Sequence, residues 1–255
     1  VFDPTELSIV REGPGERRRF LDGSISQVKP VYRRYLDQYQ AVLDQRNSLL
    51  RNERYRGYSG VLEVWDTQLA KIGSILSIYR ADYLKKLCPI AGEIYEGFTG
   101  KAEAFSAGYE STVFPEGTAL EVYSDQLISF YQAALEESLE NDLRMGFTTR
   151  GIHRDDISLS VNHVPVKAFG SRGQQRSCAV ALKLGEAKLY QGITGENPVV
   201  LLDDVMSELD QDRQDYILNR IKGFQVFVTC CDISNTLRME SGSVFSVDSG
   251  KIILQ

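Results

Sequence analysis

Residues 199–210, VVLLDDVMSELD, run four apolar side chains straight into two carboxylates and a second acidic turn. An unbroken Val-Leu run without alternation is the pattern of a strand buried on both faces, and such strands belong to parallel sheets flanked by helices. A parallel strand delivers whatever follows it to the carboxyl edge of the sheet, where open α/β folds keep their ligands. Asp203 and Asp204 are therefore expected at that edge. Mg²⁺ takes hard oxygen ligands and retains much of its water, so one carboxylate opposite nucleotide phosphates suffices to hold it. Asp203 is the metal candidate. Asp204 is the catalytic candidate, a carboxylate placed to orient or deprotonate an attacking water. The alternative for the pair is a polar cap on the loop leaving the strand.

The neighbouring segments extend the pattern. QVFVT and SVFSV are further short apolar runs, and DRQDYILNRIK between VVLLD and QVFVT reads as a helix, which makes a strand-helix-strand unit. ISLSV and VPVKAF flank Asn162-His163 as a hairpin, and AFSAGYESTVF reads as a strand. Upstream the period changes to helical. Tyr32, Tyr35, Leu36, Tyr39, Val42, Leu43, Leu49 and Leu50 share a stripe over residues 27–56. Leu62, Trp65, Leu69, Ile72, Leu76, Tyr79 and Tyr83 step by threes and fours along a second, and Leu127 to Leu143 lie on a third. The first two stripes suit an antiparallel helical arm, or equally two helices of a bundle. The expected division is residues 1–25, 26–146 as a helical domain and 147–255 as an α/β lobe. VFDPTEL reads as a strand end meeting a turn, so the chain is expected to be part of something longer.

FGSRGQQR, residues 169–176, precedes a helix predicted over about 173–190. Ser171 and Gly173 leave a compact helix entrance whose N–H groups and positive dipole end can receive an anion. The alternative there is an ordinary serine cap beside a glycine.

SRGQQR, VVLLDDVMSELD, QVFVTCCD, GIHRDD and EGPGERRRFLD together resemble the RecF family of bacterial recombination mediators, ATPases related to ABC and SMC proteins, in order along essentially the whole chain. The resemblance implies an ABC/SMC-like P-loop ATPase head with an inserted helical arm. It matches Ser171, Arg172, Gly173 and Gln174 to the signature motif, Asp203 and Asp204 to the Walker B position, and Ser207 to Asp210 to the D-loop. It implies ATP and Mg²⁺ as cofactors, an ATP-dependent homodimer in which the signature of one copy meets the γ-phosphate held by the other, binding to DNA at duplex and single-strand junctions, and RecA loading with RecO and RecR. No GxxxxGK[ST] loop occurs: Tyr95 and Phe245 stand where the first glycine would precede Gly100-Lys101 and Gly250-Lys251. In the family that loop lies in the N-terminal portion. The isolated chain is thus expected neither to hold ATP tightly nor to hydrolyse it. Ile152 replaces the proline of the family's GPHRDD, and Cys230-Cys231 occupy the position of the transporter switch histidine.

A formal charge of -6 excludes uniform positive potential and leaves only local basic patches for nucleic acid. The densest basic run, Arg17, Arg18 and Arg19, is the DNA-contact candidate, with Arg33, Arg34, Arg46, Arg51, Arg54 and Arg56 adding charge along the next helix. Interleaved Asp37, Asp44 and Glu53 allow the alternative that these arginines only solvate the arm. His153 is open between approaching the site and fixing a turn. The four cysteines lack CxxC spacing, which fits a reducing, cytoplasmic setting. A contrasting functional reading is a non-catalytic helical interaction module on a degenerate α/β platform.

Overall fold

The structure, a computed structural model, describes residues 8–52, 59–204, 206, 209–220, 223–231, 241–248 and 250–254. The expected turn at Asp3-Pro4, Arg54, Arg56 and the D-loop candidate Ser207 lie outside the described residues. Two compact units form: residues 12–88 with 107–158, mainly helical, and residues 1–11, 89–106 and 159–255, which contain the α/β elements.

In the helical unit, α2 (Pro14–Val28) and α3 (Pro30–Arg51) each begin with proline in the first turn, after a short α1 (Ser8–Arg11) in the other unit. Pro30 forces Lys29 out of helical geometry, which ends α2 and starts α3. The first stripe is the buried face of α3: Tyr32, Tyr39, Val42, Leu43 and Leu50 are all in the core. α4 (Ser59–Thr99) continues the second stripe far beyond Tyr83, through an internal Pro89. Arg46 meets Asp66 at 2.5 Å and Tyr32 meets Arg80 at 3.1 Å. These pairs lie symmetrically about the α3–α4 connection, so the two helices run antiparallel, as the hairpin reading expects. α5 (Asp125–Met145) is capped by Ser124 and stopped by Gly146 in the left-handed region.

Two arginines of this unit lie in the core, and one of them, Arg46, was expected either to contact DNA or to solvate the arm. Arg46 is 0% exposed and binds Asp66, Asp142 and Thr148. Arg80 is 1% exposed and spans Asp22, Tyr32 and the Ile152 carbonyl. A helix interior reached by Tyr stripes leaves room for guanidinium groups only where carboxylates accept them.

The GIHRDD segment closes this unit. Gly151 has φ 134°, and a Cβ there would sit 2.7 Å from the Tyr131 hydroxyl, so only glycine fits. Proton bookkeeping fixes the adjoining chain: Ile152 N–H donates to Tyr131 Oη, and His153 Nε2 faces the Thr148 carbonyl and must carry the proton. Tyr39 then donates to His153 Nδ1 at 3.0 Å, and Tyr131 donates to Tyr39 at 2.8 Å. Burial is the main cause that lowers the His153 pKa to about 4. His153 therefore fixes a turn. Asp155 accepts from Tyr109 Oη, Thr112 N–H and Thr112 Oγ1, and burial raises its pKa.

In the other unit, β4 (Val199–Asp203), α8 (Gln211–Arg220) and β5 (Gln225–Thr229) form the expected strand-helix-strand unit, with β4 and β5 parallel from Val199↔Gln225 to Asp203↔Thr229. The double-sided burial expected of β4 is not found. Val200 and Leu202 are buried, whereas Val199, Leu201 and Phe227 are 51%, 38% and 52% exposed. Among the described residues one face of the pair is packed and the other is open. α6 (Val166–Phe169) and α7 (Arg172–Thr194) precede it. β1 (Phe105–Glu110) and β2 (Asp156–Val161) each run across the division at residues 106 and 158, and the end of β2 pairs antiparallel with β3 (Val164–Pro165), Val161 opposite Val164. The β2–β3 turn holds Asn162 and His163 at φ 50° and 64°, the paired positive values of a two-residue hairpin. VPVKAF yields only two strand residues, because the chain turns into α6 at Val166. β6 (Phe245–Asp248) pairs antiparallel with β7 (Lys251–Leu254) across Gly250. No helix among the described residues is long and apolar enough to cross a membrane.

The units cut across the boundaries expected at residues 25 and 146. Residues 12–25 join the helical unit, where Arg17 pairs with Asp156 and Arg80 with Asp22. Residues 147–158 join it through His153 and Asp155. Residues 89–106 leave it for the α/β unit, where Phe98 packs edge-on against Tyr216 at 4.9 Å. Periodicity along a strand or helix does not say which distant side chains it meets.

Candidate functional site

The parallel register puts Thr229 beside Asp203 at the carboxyl edge. Thr229 Oγ1 donates to Asp203 Oδ1 at 2.5 Å and accepts from the Asp204 N–H at 3.0 Å. One hydroxyl thereby holds both aspartates at the strand end. Asp204 takes a left-handed φ of 49°, an uncommon conformation for a non-glycine residue that turns the chain sharply after β4. Both carboxylates are exposed rather than sealed inside. Asp203 Oδ2 has no partner among the described residues, so a hard-cation ligand is available there. No cluster of three His, Cys, Asp or Glu side chains able to hold a metal alone occurs among the described residues. The fit is to a cation that takes its other ligands from phosphate and water.

Between Asp203 and α8, Met206 and Leu209 are buried and their carbonyls receive the Gln214 amide at 2.7 and 3.0 Å. Asp210 caps α8: its Oδ1 accepts the Arg213 N–H at 3.1 Å, and its carboxylate pairs with the Arg213 guanidinium. Arg213 then reaches α7, donating from Nε to Ser177 Oγ at 2.5 Å, while Ser177 Oγ donates to the Gly173 carbonyl at 2.9 Å. A Cβ on Gly173 would stand 4.0 Å from both terminal nitrogens of Arg213. The loop that follows the aspartates and the first turn of α7 are thus joined by one guanidinium.

That first turn is a capping box. Gln174 N–H donates to Ser171 Oγ at 3.2 Å, and Ser171 N–H donates to Gln174 Oε1 at 2.8 Å. The expectation of a row of open N–H groups is narrowed: these two are consumed internally. Arg172 N–H and Gly173 N–H remain without a partner among the described residues, together with the Ser171 hydroxyl proton. Arg172 is exposed, as is Phe169 just before the turn, at 75%. An anion approaching from solvent meets three donors and the positive end of a helix of 23 residues.

The arginine run divides. Arg17 is 5% exposed and grips Asp156 with two bonds of 2.6 and 2.8 Å, so its assignment to DNA is corrected to an internal ion pair. Arg18 donates to the Asp155 carbonyl at 2.7 Å and is half-buried. Arg19 alone of the three extends into solvent, 77% exposed and paired to Glu16. His153, in the helical unit, is bonded through both ring nitrogens.

Three participants escaped the sequence reading. Thr229 was legible in principle, since VVLLD and QVFVT are parallel runs of equal length whose last residues align. Arg213 stands three residues after Asp210, the spacing of a cap with its partner. Glu103, which binds Gln174 Nε2 at 2.8 Å, carries no local signal.

No family model matches the chain. It is 39% identical to the "DNA replication and repair protein RecF" of Alkaliphilus oremlandii, over 99% of this chain and 68% of that protein. With the protein of the same description from Clostridium acetobutylicum the identity is 40%, over 99% and 68%. The solved "recombination mediator protein RecF-ATP in RecFOR pathway" superposes with a TM-score of 0.83 at 33% identity, over all of this chain and 67% of that one. The corresponding RecF-ATPrS structure gives 0.83 at 32% identity, over 99% and 66%. The chain spans about two thirds of the length of these relatives. Its fold, an α/β ATPase-head architecture with a helical insertion, is theirs. On identity, coverage and fold together, the chain belongs to the RecF family of DNA replication and repair proteins.

Proposed function

We propose that this chain is the signature-bearing part of an ATP-switched recombination mediator, which closes as a homodimer on DNA at duplex and single-strand junctions and, with RecO and RecR, promotes RecA loading from the cytoplasm. In this reading Ser171, Arg172 and Gly173 present their three open donors to the γ-phosphate held by the other copy, with Gln174 fixing the turn. Asp203 holds Mg²⁺, which supplies charge neutralisation on the phosphates when bound. Asp204 orients or deprotonates the attacking water, and Ser207 and Asp210 belong to the loop that follows. Arg19 is the one member of the arginine run left to meet a DNA phosphate. Relatives solved with ATP and ATPrS support a nucleotide role for this architecture.

The observation that carries the reading is the Arg213 bridge. It joins the turn after the paired aspartates to Gly173 and Ser177 at the helix entrance, so that this copy's aspartate edge is coupled to the turn it presents to the other copy's nucleotide. The test uses the full-length protein. Ser171→Ala is expected to abolish the ATP-dependent gain in mass by light scattering, and Asp204→Asn to trap the dimer by stopping hydrolysis. Normal assembly and turnover in both variants would refute the assignment. The isolated chain has no phosphate loop in its sequence, so calorimetry is expected to give no tight Mg-ATP binding; a micromolar dissociation constant would contradict this.

A further inference from the structure

Gln174 is an amide with two different ends, and both are engaged. Its Oε1 accepts from the Ser171 N–H, while its Nε2 donates to Glu103 Oε1 at 2.8 Å. A carboxylate only accepts, so Glu103 dictates which way the amide faces. Turned over, it would set oxygen against oxygen at Glu103 and nitrogen against N–H at Ser171. Glu103 is itself held: its Oε2 accepts from Tyr95 Oη at 2.7 Å. Tyr95 is 0% exposed near the end of α4, with its ring stacked on Phe105 at 5.8 Å. Burial and the Glu103 carboxylate keep the Tyr95 phenol protonated, and so a donor. A directed path therefore runs from Tyr95 O–H to Glu103, from the Gln174 amide to Glu103, and from the Ser171 N–H to Gln174.

The outcome at Ser171 is chemical. Its N–H is consumed by the glutamine, and its Oγ accepts from the Gln174 N–H at 3.2 Å, so its hydroxyl proton is left to point outward. We infer that Glu103, backed by Tyr95, is a positioning residue for the signature turn: it sets the Gln174 amide so that Ser171 offers its hydroxyl, with the Arg172 and Gly173 N–H groups, to the γ-phosphate. This rests on the phosphate-facing role given to Ser171 above. It adds a residue outside the five sequence motifs, on the segment that links the end of α4 to β1.

The test compares Glu103→Ala, Glu103→Gln, Tyr95→Phe and Ser171→Ala in the full-length protein. Mg-ATP binding by single copies, ATP-dependent dimerisation, and the kcat and KM of hydrolysis are measured. Glu103→Ala is expected to leave single-copy ATP binding and KM within about two-fold, while kcat and dimer affinity fall on the order of ten-fold, the scale of one charge-assisted hydrogen bond. Glu103→Gln can still accept from Nε2 and is expected to stay within about three-fold of the parent. Tyr95→Phe lies between them. A merely structural role would lower stability and all readouts alike, without the split and without rescue by glutamine. If Glu103→Ala melts too low to assay, Tyr95→Phe decides, since it removes one hydroxyl: weakened dimerisation in a folded variant supports the inference, and unchanged dimerisation overturns it. Parent-like dimerisation of Glu103→Ala, with Ser171→Ala defective, overturns the positioning role alone. Parent-like behaviour of Ser171→Ala overturns the reading beneath it.

Discussion

Replacing Arg17 by alanine separates an internal ion pair from a DNA contact. The guanidinium binds both Asp156 oxygens at 2.6 and 2.8 Å and the Glu12 carbonyl at 3.1 Å. Removing one partner of a fully buried pair costs about 3–5 kcal/mol, because the survivor remains charged in a poor solvent for charge. Here Asp156 is 25% exposed and keeps the Ile157 N–H at 2.7 Å. Solvent screening and that retained bond reduce the expected loss to about 2 kcal/mol. For a protein of this size that is a fall in melting temperature of roughly 4–8 °C. Thermal and urea unfolding of Arg17→Ala, Asp156→Ala and the double variant should give a coupling of about 1–2 kcal/mol. DNA affinity of folded Arg17→Ala, measured across salt in the full-length protein, should keep the parent slope. Arg19→Ala should flatten it by about one unit. Unchanged stability of Arg17→Ala together with a flattened slope would refute the ion-pair assignment.

Other perturbations probe other parts of the structure. The His153 pKa is lowered to about 4 from 6.5, so the folded state resists protonation. Its contribution is fully present above pH 6.5 and is lost as pH falls towards 4, by up to about 3 kcal/mol; His153→Gln should flatten this part of the stability-pH curve, and an unaltered curve would exclude His153 as its source. Thr229→Val removes the hydroxyl that serves Asp203 and Asp204, and in the full-length protein it should weaken the Mg²⁺ dependence of ATP turnover on the order of ten-fold, with Thr229→Ser retaining it. Ser171→Ala should also cost about 1 kcal/mol through loss of the α7 cap, readable by denaturant titration; no loss would show the cap to be idle.

The helices and the carboxyl edge of the parallel pair were legible because each rests on a local rule. Tyr32, Tyr39, Val42 and Leu43 recur at helical spacing, and burial of that stripe follows. VVLLD and QVFVT are apolar runs around a helix, and a parallel pair ending in Asp203 and Thr229 follows. What misled was local reading of charge. Arg17, Arg18 and Arg19 look alike in sequence, yet their exposure spans buried to free, because successive residues on a helix point about 100° apart. VPVKAF looked like a strand throughout, but after Pro165 the chain enters α6, and Gly170 and the cap at Ser171 then lead it into α7.

Composition, period and motif order determined the class of fold, the family and the choice of Ser171, Gly173, Asp203 and Asp204 as candidates, since those depend on neighbours within a few residues. Only tertiary structure decided which donors at Ser171 stay open, which arginines are internal, and that Glu103 and Arg213 reach the start of α7. Those outcomes depend on where partners dozens of residues away come to rest. A hydrogen bond or ion pair is settled by distance and desolvation, and neither is written in the linear order of the chain.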